Sequence, residues 1–502
     1  MKVVVVGSGI GGLATSIRLR CAGHHTVVLE RNPVVGGKVA DLHEAGYRFD
    51  LGPNLLTLPQ VFDDLFGLAG TTLADQVELV RLDPQFRYRW PDGSSLDVRD
   101  DPAATVAEVE LTSPGSGPAW HAFLRHAADV RAACERTLLA GPAGSRSSSM
   151  GKRSSWFDKV MSPVDLARMD GRRTLARASS ALFDDPRLQQ AVNRYSTYSG
   201  SSPYLTPATA LCNADIEQTD GVWYVTGGIG RLRDALVRTA TAIGVEIRTG
   251  VEVGRISVER GAVSGVELAD GGSESADVVV SDVDAAHLYV DLLPAPKRAE
   301  QLDKAGRSAS AFVLCAAVRG RTEGLAHHNV FFPLHDRQEF QFLEAGQLPI
   351  DQTIRAVVSA VTDPAQAPPG CENWLIQVTT PPAIGIDRKL MTAGVINRLA
   401  ERGFDLRDRI EFTRTLLPAD LDVRYRSPGG AIHGTSSNSR RAAFSRPSNV
   451  GPVDGLFLVG GSTRPGGGLP FVATGARIVA HLVAERHGGS SSGAAGSDGG
   501  DP

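Results

Sequence analysis

Four consecutive valines at positions 3–6 run straight into Gly7-Ser8-Gly9-Ile10-Gly11-Gly12. An apolar run without alternation reads as a strand covered on both faces, as in a parallel sheet. Gly7, Gly9 and Gly12 stand at the spacing of a dinucleotide-binding turn, and residues 13–20 continue as a helix. Each glycine has a mechanical task. Gly7 permits the tight turn, Gly9 lets backbone approach a pyrophosphate, and Gly12 lets helix and sheet pack closely. The helix start then offers unpaired N–H groups to phosphate oxygens. Residues 26–29 form a second apolar strand ending at Glu30. A carboxylate there accepts hydrogen bonds from ribose hydroxyls and repels a 2′-phosphate, which disfavours NADP. The plainer alternative is a glutamate that ends a strand.

The chain has 502 residues, 42% hydrophobic and 22% charged, enough for two or three domains with substantial cores. Its net charge of −4 provides no basic field for nucleic acid. Cys21, Cys134, Cys212, Cys315 and Cys371 lie far apart, which suits a reducing compartment and argues against a disulfide framework or zinc site. The pairs His24-His25 and His327-His328 lack a third ligand at metal spacing and read as structural or surface features. No apolar stretch approaches the roughly 20 residues that span a bilayer. The valine run, interrupted after four residues, is no signal peptide. These observations predict a soluble or peripheral cytoplasmic protein.

Residues 141–155, rich in serine, and 488–502, built of Gly, Ser, Ala and Asp, read as a loop and a mobile tail. Between them the chain returns to an αβ pattern. Val222-Trp223-Tyr224 precedes Gly227-Gly228, residues 231–243 have helical periodicity, and Gly244 is placed to stop it. Strands follow at 245–248, 251–253, 263–268 and 276–281. At the far end, residues 455–459 repeat the buried-strand pattern before Gly460-Gly461-Ser462-Thr463-Arg464-Pro465-Gly466-Gly467-Gly468-Leu469-Pro470. A helix over 471–486 follows, with Pro470 at its start, where the missing N–H does no harm.

The segment after Glu30, Arg31-Asn32-Pro33-Val34-Val35-Gly36-Gly37-Lys38, and the stretch Gly46-Tyr47-Arg48-Phe49-Asp50-Leu51-Gly52-Pro53 resemble the flavin amine oxidase superfamily. There the fingerprint and ribose acid are joined to a Gly-Gly-Arg. Here lysine replaces arginine, which keeps the charge and loses the fork. Further landmarks resemble bacterial-type phytoene desaturases and related carotenoid desaturases and oxidases, over nearly the whole chain. They are Tyr195–Tyr204 with Pro207-Ala208, the 220–228 segment, residues 281–287, residues 327–332, and residues 361–364 with 367–373. Arg464-Pro465 stands where that family more often has His-Pro.

The resemblance implies an α/β fold with an FAD-binding Rossmann-like (GR2-type) domain and a second, α+β substrate domain. The first would comprise 1–87, 221–294 and 446–487, the second 88–220 and 295–445. FAD contacts are expected at Gly7, Gly9, Gly11, Gly12, Glu30, Arg31, Gly36, Gly37, Lys38, Gly52, Pro53, Val253, Gly460, Gly461, Gly467, Gly468, Leu469 and Pro470. The C-terminal glycine loop is expected over the isoalloxazine ring. The implied reaction is desaturation of a long carotenoid, such as phytoene or a later carotene, by hydride transfer to flavin N5. Quinone or O2 would accept the electrons, and the substrate would occupy a long apolar tunnel. No general base is assigned. Asp215, Glu217 and Tyr198 fall in landmark regions, with structural roles as the competing reading.

Such a substrate lives in membrane. Arg146, Lys152, Arg153, Lys159, Arg168, Arg172, Arg173 and Arg177 oppose only Asp158, Asp165 and Asp170, interleaved with Trp156-Phe157, Val160-Met161 and Leu166. This predicts a peripheral contact with the inner face of the cell membrane, against the alternative of a solvated helical face. The rival functions are a flavin amine oxidase, a carotenoid end-group oxidase of the same family, and a flavin-free binder of prenyl lipid or protein. An amine oxidase would want an aromatic cage, and the sequence shows no aromatic clustering.

Overall fold

The computed structural model describes residues 1–136, 163–440 and 442–491. A parallel sheet of five strands organises one half. Its order is Leu456–Leu458, Val278–Ser281, Lys2–Val6, His25–Glu30 and Glu246–Thr249. The valine run is the central strand, and its side chains alternate between two cores. Val3 and Val5 pack with Leu13, Ile17, Leu236 and Val479, which come from the helices Ile10–Cys21, Gly230–Ala242 and Leu469–Ser491. Val4 and Val6 pack with Ile256, Val263 and Val266 of the antiparallel sheet Val253–Glu259, Ala262–Leu268 and Ser273–Ser275. Both faces are covered, so neither could be polar. One strand separates the two ends of the chain in the sheet.

The other half is built on seven strands. In order they are Ile410–Leu416, Ser310–Arg319, Cys371–Thr380, Ile354–Val358, His328–Phe331, Phe86–Arg89 and Ser95–Val98. All neighbours are antiparallel except His328–Phe331 with Phe86–Arg89. Nine of the ten residues of Ser310–Arg319 are buried. Phe312, Leu314, Ala316 and Val318 face Val395 and Leu399 of helix Arg388–Glu401. Ala311, Val313, Cys315 and Ala317 face Tyr47 and Phe49. Helices Pro102–Thr112, Gly117–Cys134, Leu175–Leu182 and Pro186–Asn193 bury Val109, Phe123, Leu175 and Leu188 against Phe86, Tyr88 and Trp90.

This is the expected α/β architecture, with a Rossmann-like half and an α+β half. Details differ from the sequence expectations. Strand Phe86–Arg89 straddles the boundary placed at 87, because its partners lie in the second sheet. Helix Leu469–Ser491 runs into the segment expected to be tail, carried there by its continuous backbone ladder. Residues 141–155 lie outside the described residues, as do Arg146, Lys152, Arg153, Lys159 and the Trp156-Phe157 pair. Of the basic stretch, Arg168, Arg172 and Arg177 are described and exposed. Among the described residues no helix is long and apolar enough to cross a membrane.

Candidate functional site

The two glycine loops touch. Gly7 turns the chain at φ +97°, and its N–H donates to Leu29 O at 2.8 Å. Helix Ile10–Cys21 then starts with no side-chain cap and no acid in its first turn. Its leading N–H groups are therefore suited to an anion. Gly12 lies so near the turn that a Cβ there would sit 2.2 Å from Gly7 O. Gly36 donates to Ser8 O at 2.9 Å, and a Cβ on Gly37 would reach 3.1 Å from the Gly9 Cα. The Gly-Gly pair thus crosses the first turn. From the other end of the chain, Gly460 N and the Val472 side chain lie 3.1 and 3.0 Å from where a Gly11 Cβ would be.

At the centre of this contact is Asp282, a residue to which the sequence alone assigns no role. It follows the strand Val278–Ser281, and its N–H donates to Val6 O at 2.8 Å. Cβ atoms added to Gly9, Gly11 and Gly460 would each fall 2.5 to 2.6 Å from its carboxyl oxygens. Removal from water pushes the Asp282 pKa up to about 7; the amides of Gly12 and Gly9 and the Lys38 charge oppose the shift, and Glu30 adds to it. At neutral pH the carboxyl is about half protonated, which weakens its repulsion of a pyrophosphate at the turn.

Glu30 is buried, with both oxygens engaged. One accepts from Ser8 N at 2.9 Å and Ser8 Oγ at 2.8 Å, the other from Asn32 N and Nδ2 at 2.8 Å. A carboxylate has about four lone-pair sites. Ribose hydroxyls at Glu30 would therefore exchange with one of these donors. Arg31 turns away, its Nη2 donating to Val423 O at 3.3 Å. Val253 is a core side chain packed with Val4 and Leu29. Gly52 passes over the Lys38 carbonyl, and Lys38 Nζ donates to Ile432 O at 2.5 Å. Burial lowers the Lys38 pKa, opposed by Asp284 and Asp282.

The C-terminal loop is tied down by groups from the second half. Arg446 Nη1 donates to His433 O and Gly461 O, both at 3.0 Å. His433 N donates to Ser308 Oγ at 3.0 Å. A Cβ on Gly467 would meet His433 Nδ1 at 2.4 Å. Burial, followed by the charges of Lys38, Arg446 and Arg355, pushes the His433 pKa down to about 3, so the ring is neutral at pH 7. Leu469 and Pro470 are buried at the helix start, whereas Pro53 and Gly461 are part-buried and Gly468 is exposed. His433 carries no pattern that sequence alone could separate from its neighbours.

The landmark carboxylates are held in ion pairs. Arg131 pairs with Asp215 at 3.2 Å and also with Asp220. Arg194 Nη2 pairs with Glu217 at 2.9 Å, and the Tyr198 hydroxyl donates to Glu217 as well. The aromatic clustering missing from the sequence is present in space. The Arg194 guanidinium lies 4.2, 4.7, 5.0 and 5.4 Å from the rings of Phe86, Tyr195, Tyr198 and Tyr88. That cage is already filled by an arginine.

Comparison with known proteins places this geometry. The sequence profile of flavin-containing amine oxidoreductases matches residues 10–483. The chain is 33% identical to a 4,4′-diapolycopene oxygenase of Methylomonas sp., over 95% of this chain and 97% of that protein. It is 30% identical to a 1-hydroxycarotenoid 3,4-desaturase of Flavobacterium sp. (strain P99-3), over 96% and 99%. An oxidoreductase from Methanosarcina mazei shares the fold, with a TM-score of 0.65, 19% identity and coverage of 96% and 100%. A family profile over residues 10–483, with relatives aligned over nearly their whole length, leaves one assignment: the chain belongs to the flavin-containing amine oxidoreductase family and is an FAD-dependent oxidoreductase.

Proposed function

We propose that the protein desaturates a carotenoid, hydride leaving one carbon of the chain and a proton leaving its neighbour, and that the two touching loops would hold the FAD that accepts the hydride. The carrying observation is the contact of the Gly7–Gly12 turn with Gly460 and Val472 around Asp282. It creates a glycine-lined cradle between a helix N-terminus and a second loop. The full-length likeness to carotenoid oxygenases and desaturases supports the substrate class. FAD, when bound, supplies a two-electron acceptor. The uncapped start of Ile10–Cys21 binds the pyrophosphate, and Glu30 orients the ribose. Lys38 and Arg446 fix residues 432–435 against the C-terminal loop. The Leu469–Ser491 helix opens at that loop, and its N-terminal dipole favours negative charge there. Quinone or O2 takes the electrons. The exposed Arg168, Arg172 and Arg177 approach anionic lipid on the cytoplasmic face, where the substrate is dissolved.

Flavin-loaded protein is mixed anaerobically with an acyclic carotene in micelles and, separately, with a polyamine. Bleaching by the carotene alone, with a red shift of its visible bands, is the expected result. Bleaching by the polyamine alone assigns an amine oxidase, and colourless purified protein removes the cofactor. Gly467→Val is expected to lower flavin content several-fold. The atom its Cβ meets belongs to a side chain, His433, which can partly yield. Full flavin content in that variant would remove Gly467 from the cofactor site.

A further inference from the structure

Residues 220–243 stand out in the sequence for their glycines and helical run, and the cofactor cradle leaves them without a task. Helix Gly230–Ala242 carries Arg233 in its first turn, and that residue is only 8% exposed. A charged side chain so deep needs partners. Its Nη1 donates to Asp41 Oδ1 at 2.6 Å and to Val39 O at 3.3 Å, and its Nε donates to Asp234 Oδ1 at 2.8 Å. Burial disfavours the charge, and the hydrogen bonds to Asp41 and Asp234 more than restore it. Val39 and Asp41 belong to the stretch that directly follows Gly36-Gly37-Lys38. The helix is a firm base for this reach. Leu232 and Leu236 are buried in one core with Val3 and Val5, and Asp50 Oδ2 accepts from Ile229 N at 3.0 Å.

The Arg233 stem also lies against the glycine pair. A Cβ on Gly36 would run into Arg233 Cδ and sit 2.8 Å from its Cγ. Through its backbone, Gly36 forms a parallel bridge with Gly9 and donates to Ser8 O at 2.9 Å. A Cβ on Gly37 would come 3.1 Å from Gly9 Cα. Gly36 and Gly37 are thus a single layer of backbone between Arg233 and the first turn. Both take positive φ, +112° and +55°, and neither has a side chain to hold that shape. The layer must be held from outside. Arg233 spans it, with its stem on Gly36 and its guanidinium on Val39 and Asp41. The layer bears on Ser8, whose N–H and hydroxyl both donate to Glu30. The C-terminal loop is tied down separately, by Arg446.

We propose that Arg233 is a positioning residue for the adenylate half of FAD: it holds Gly36 and Gly37 against Ser8 and Gly9, and through Ser8 it sets the Glu30 carboxylate that orients the ribose. The inference rests on the reading of the two touching loops as the FAD site. It places the support for one end of the cofactor on a helix of the 220–243 segment. Because Arg446 anchors the other loop, loss of Arg233 acts on the adenylate end and spares the surroundings of the flavin ring.

The test uses full-length holoprotein as wild type, Arg233→Met, Arg233→Lys and Asp41→Asn. Methionine keeps an unbranched stem over Gly36 and removes every donor. Asp41→Asn leaves the arginine in place and weakens its grip. The Kd for FAD is read from the rise in flavin fluorescence on dilution. The affinity for ADP, a probe of the adenylate end alone, is read from its displacement of FAD. The shape of the visible band of bound flavin reports the ring's surroundings. Arg233→Met is expected to weaken both FAD and ADP by about tenfold or more, as for lost hydrogen bonds to a charged group, with the visible band unchanged. Arg233→Lys is expected to recover part of the loss, because it keeps the charge without the fork. Wild-type ADP affinity in folded Arg233→Met would overturn the inference, and so would a fall in FAD affinity accompanied by an altered visible band. Should Arg233→Met not fold, Asp41→Asn decides: a parallel loss of FAD and ADP affinity supports the inference, and unchanged affinities overturn it. Wild type that retains neither FAD nor ADP would overturn the cofactor reading and the inference together.

Discussion

Gly12→Val protein is expected to leave purification with less than about one-tenth of the wild-type flavin content. The added Cβ would fall 2.2 Å from the Gly7 carbonyl oxygen, which is backbone and cannot swing aside. Gly7 is itself held by its hydrogen bond to Leu29 O at 2.8 Å, inside the parallel sheet. The helix Ile10–Cys21 must therefore move away from the turn by about an ångström or more. That shift breaks the alignment of its leading N–H groups with the pyrophosphate. It also disturbs the packing of Leu13 and Ile17 on Val3 and Val5, so the folded state weakens with the site. Flavin is measured from the visible absorbance of the purified protein and again after release by denaturation. Gly394→Ala is the control: nothing lies within 4 Å of its added methyl, and its position in helix Arg388–Glu401 favours alanine. Normal flavin content in Gly12→Val would disprove the dependence of the cofactor on this turn.

The contrast between Gly12 and Gly467 marks how much of the site a short stretch of chain can carry. The N-terminal turn is a local object: strand, glycine spacing and helix follow one another within about twenty residues. The C-terminal loop is equally plain as a strand, glycines and a helix start. Their meeting, through Gly460, Val472 and Gly11, depends on strand order, which no short window reports. Asp282 lies between them because Val278–Ser281 is inserted between the first and last strands. Its carboxyl chemistry follows from that insertion and not from its neighbours in sequence. His433 and Arg446 are further cases. They come from irregular segments, and only the packing of the two halves brings them beside Gly467 and Gly466. The same holds for the aromatic cage, since Phe86 and Tyr88 meet Tyr195 and Tyr198 across more than a hundred residues. Glu30 shows the opposite failure: its position is legible in the sequence, but its four protein donors are not, because Ser8 and Asn32 carry no pattern of their own.

Removing the carboxylate of Glu217 is expected to destabilise the cap half by about 3 to 5 kcal/mol. The Arg194 and Glu217 side chains are 3% and 2% exposed. Glu217 is the only carboxylate with which Arg194 forms an ion pair among the described residues, although four aromatic rings also face its guanidinium. Ring quadrupoles contribute on the order of 1 to 2 kcal/mol to a buried cation, too little to replace a full counter-charge. Glu217→Ala strands the guanidinium and leaves Tyr198 without its acceptor. The double variant Arg194→Met with Glu217→Leu removes both charges at similar volume, and it should recover most of the loss. The denaturant midpoint at unchanged slope measures each variant, and hydrogen exchange over Pro186–Asn193 locates the effect. A single variant within about 1 kcal/mol of wild type would mean the rings and cavity solvent suffice for Arg194. A double variant no better than the single one would mean that shape at this point, and not charge balance, holds the cap helices to the sheet.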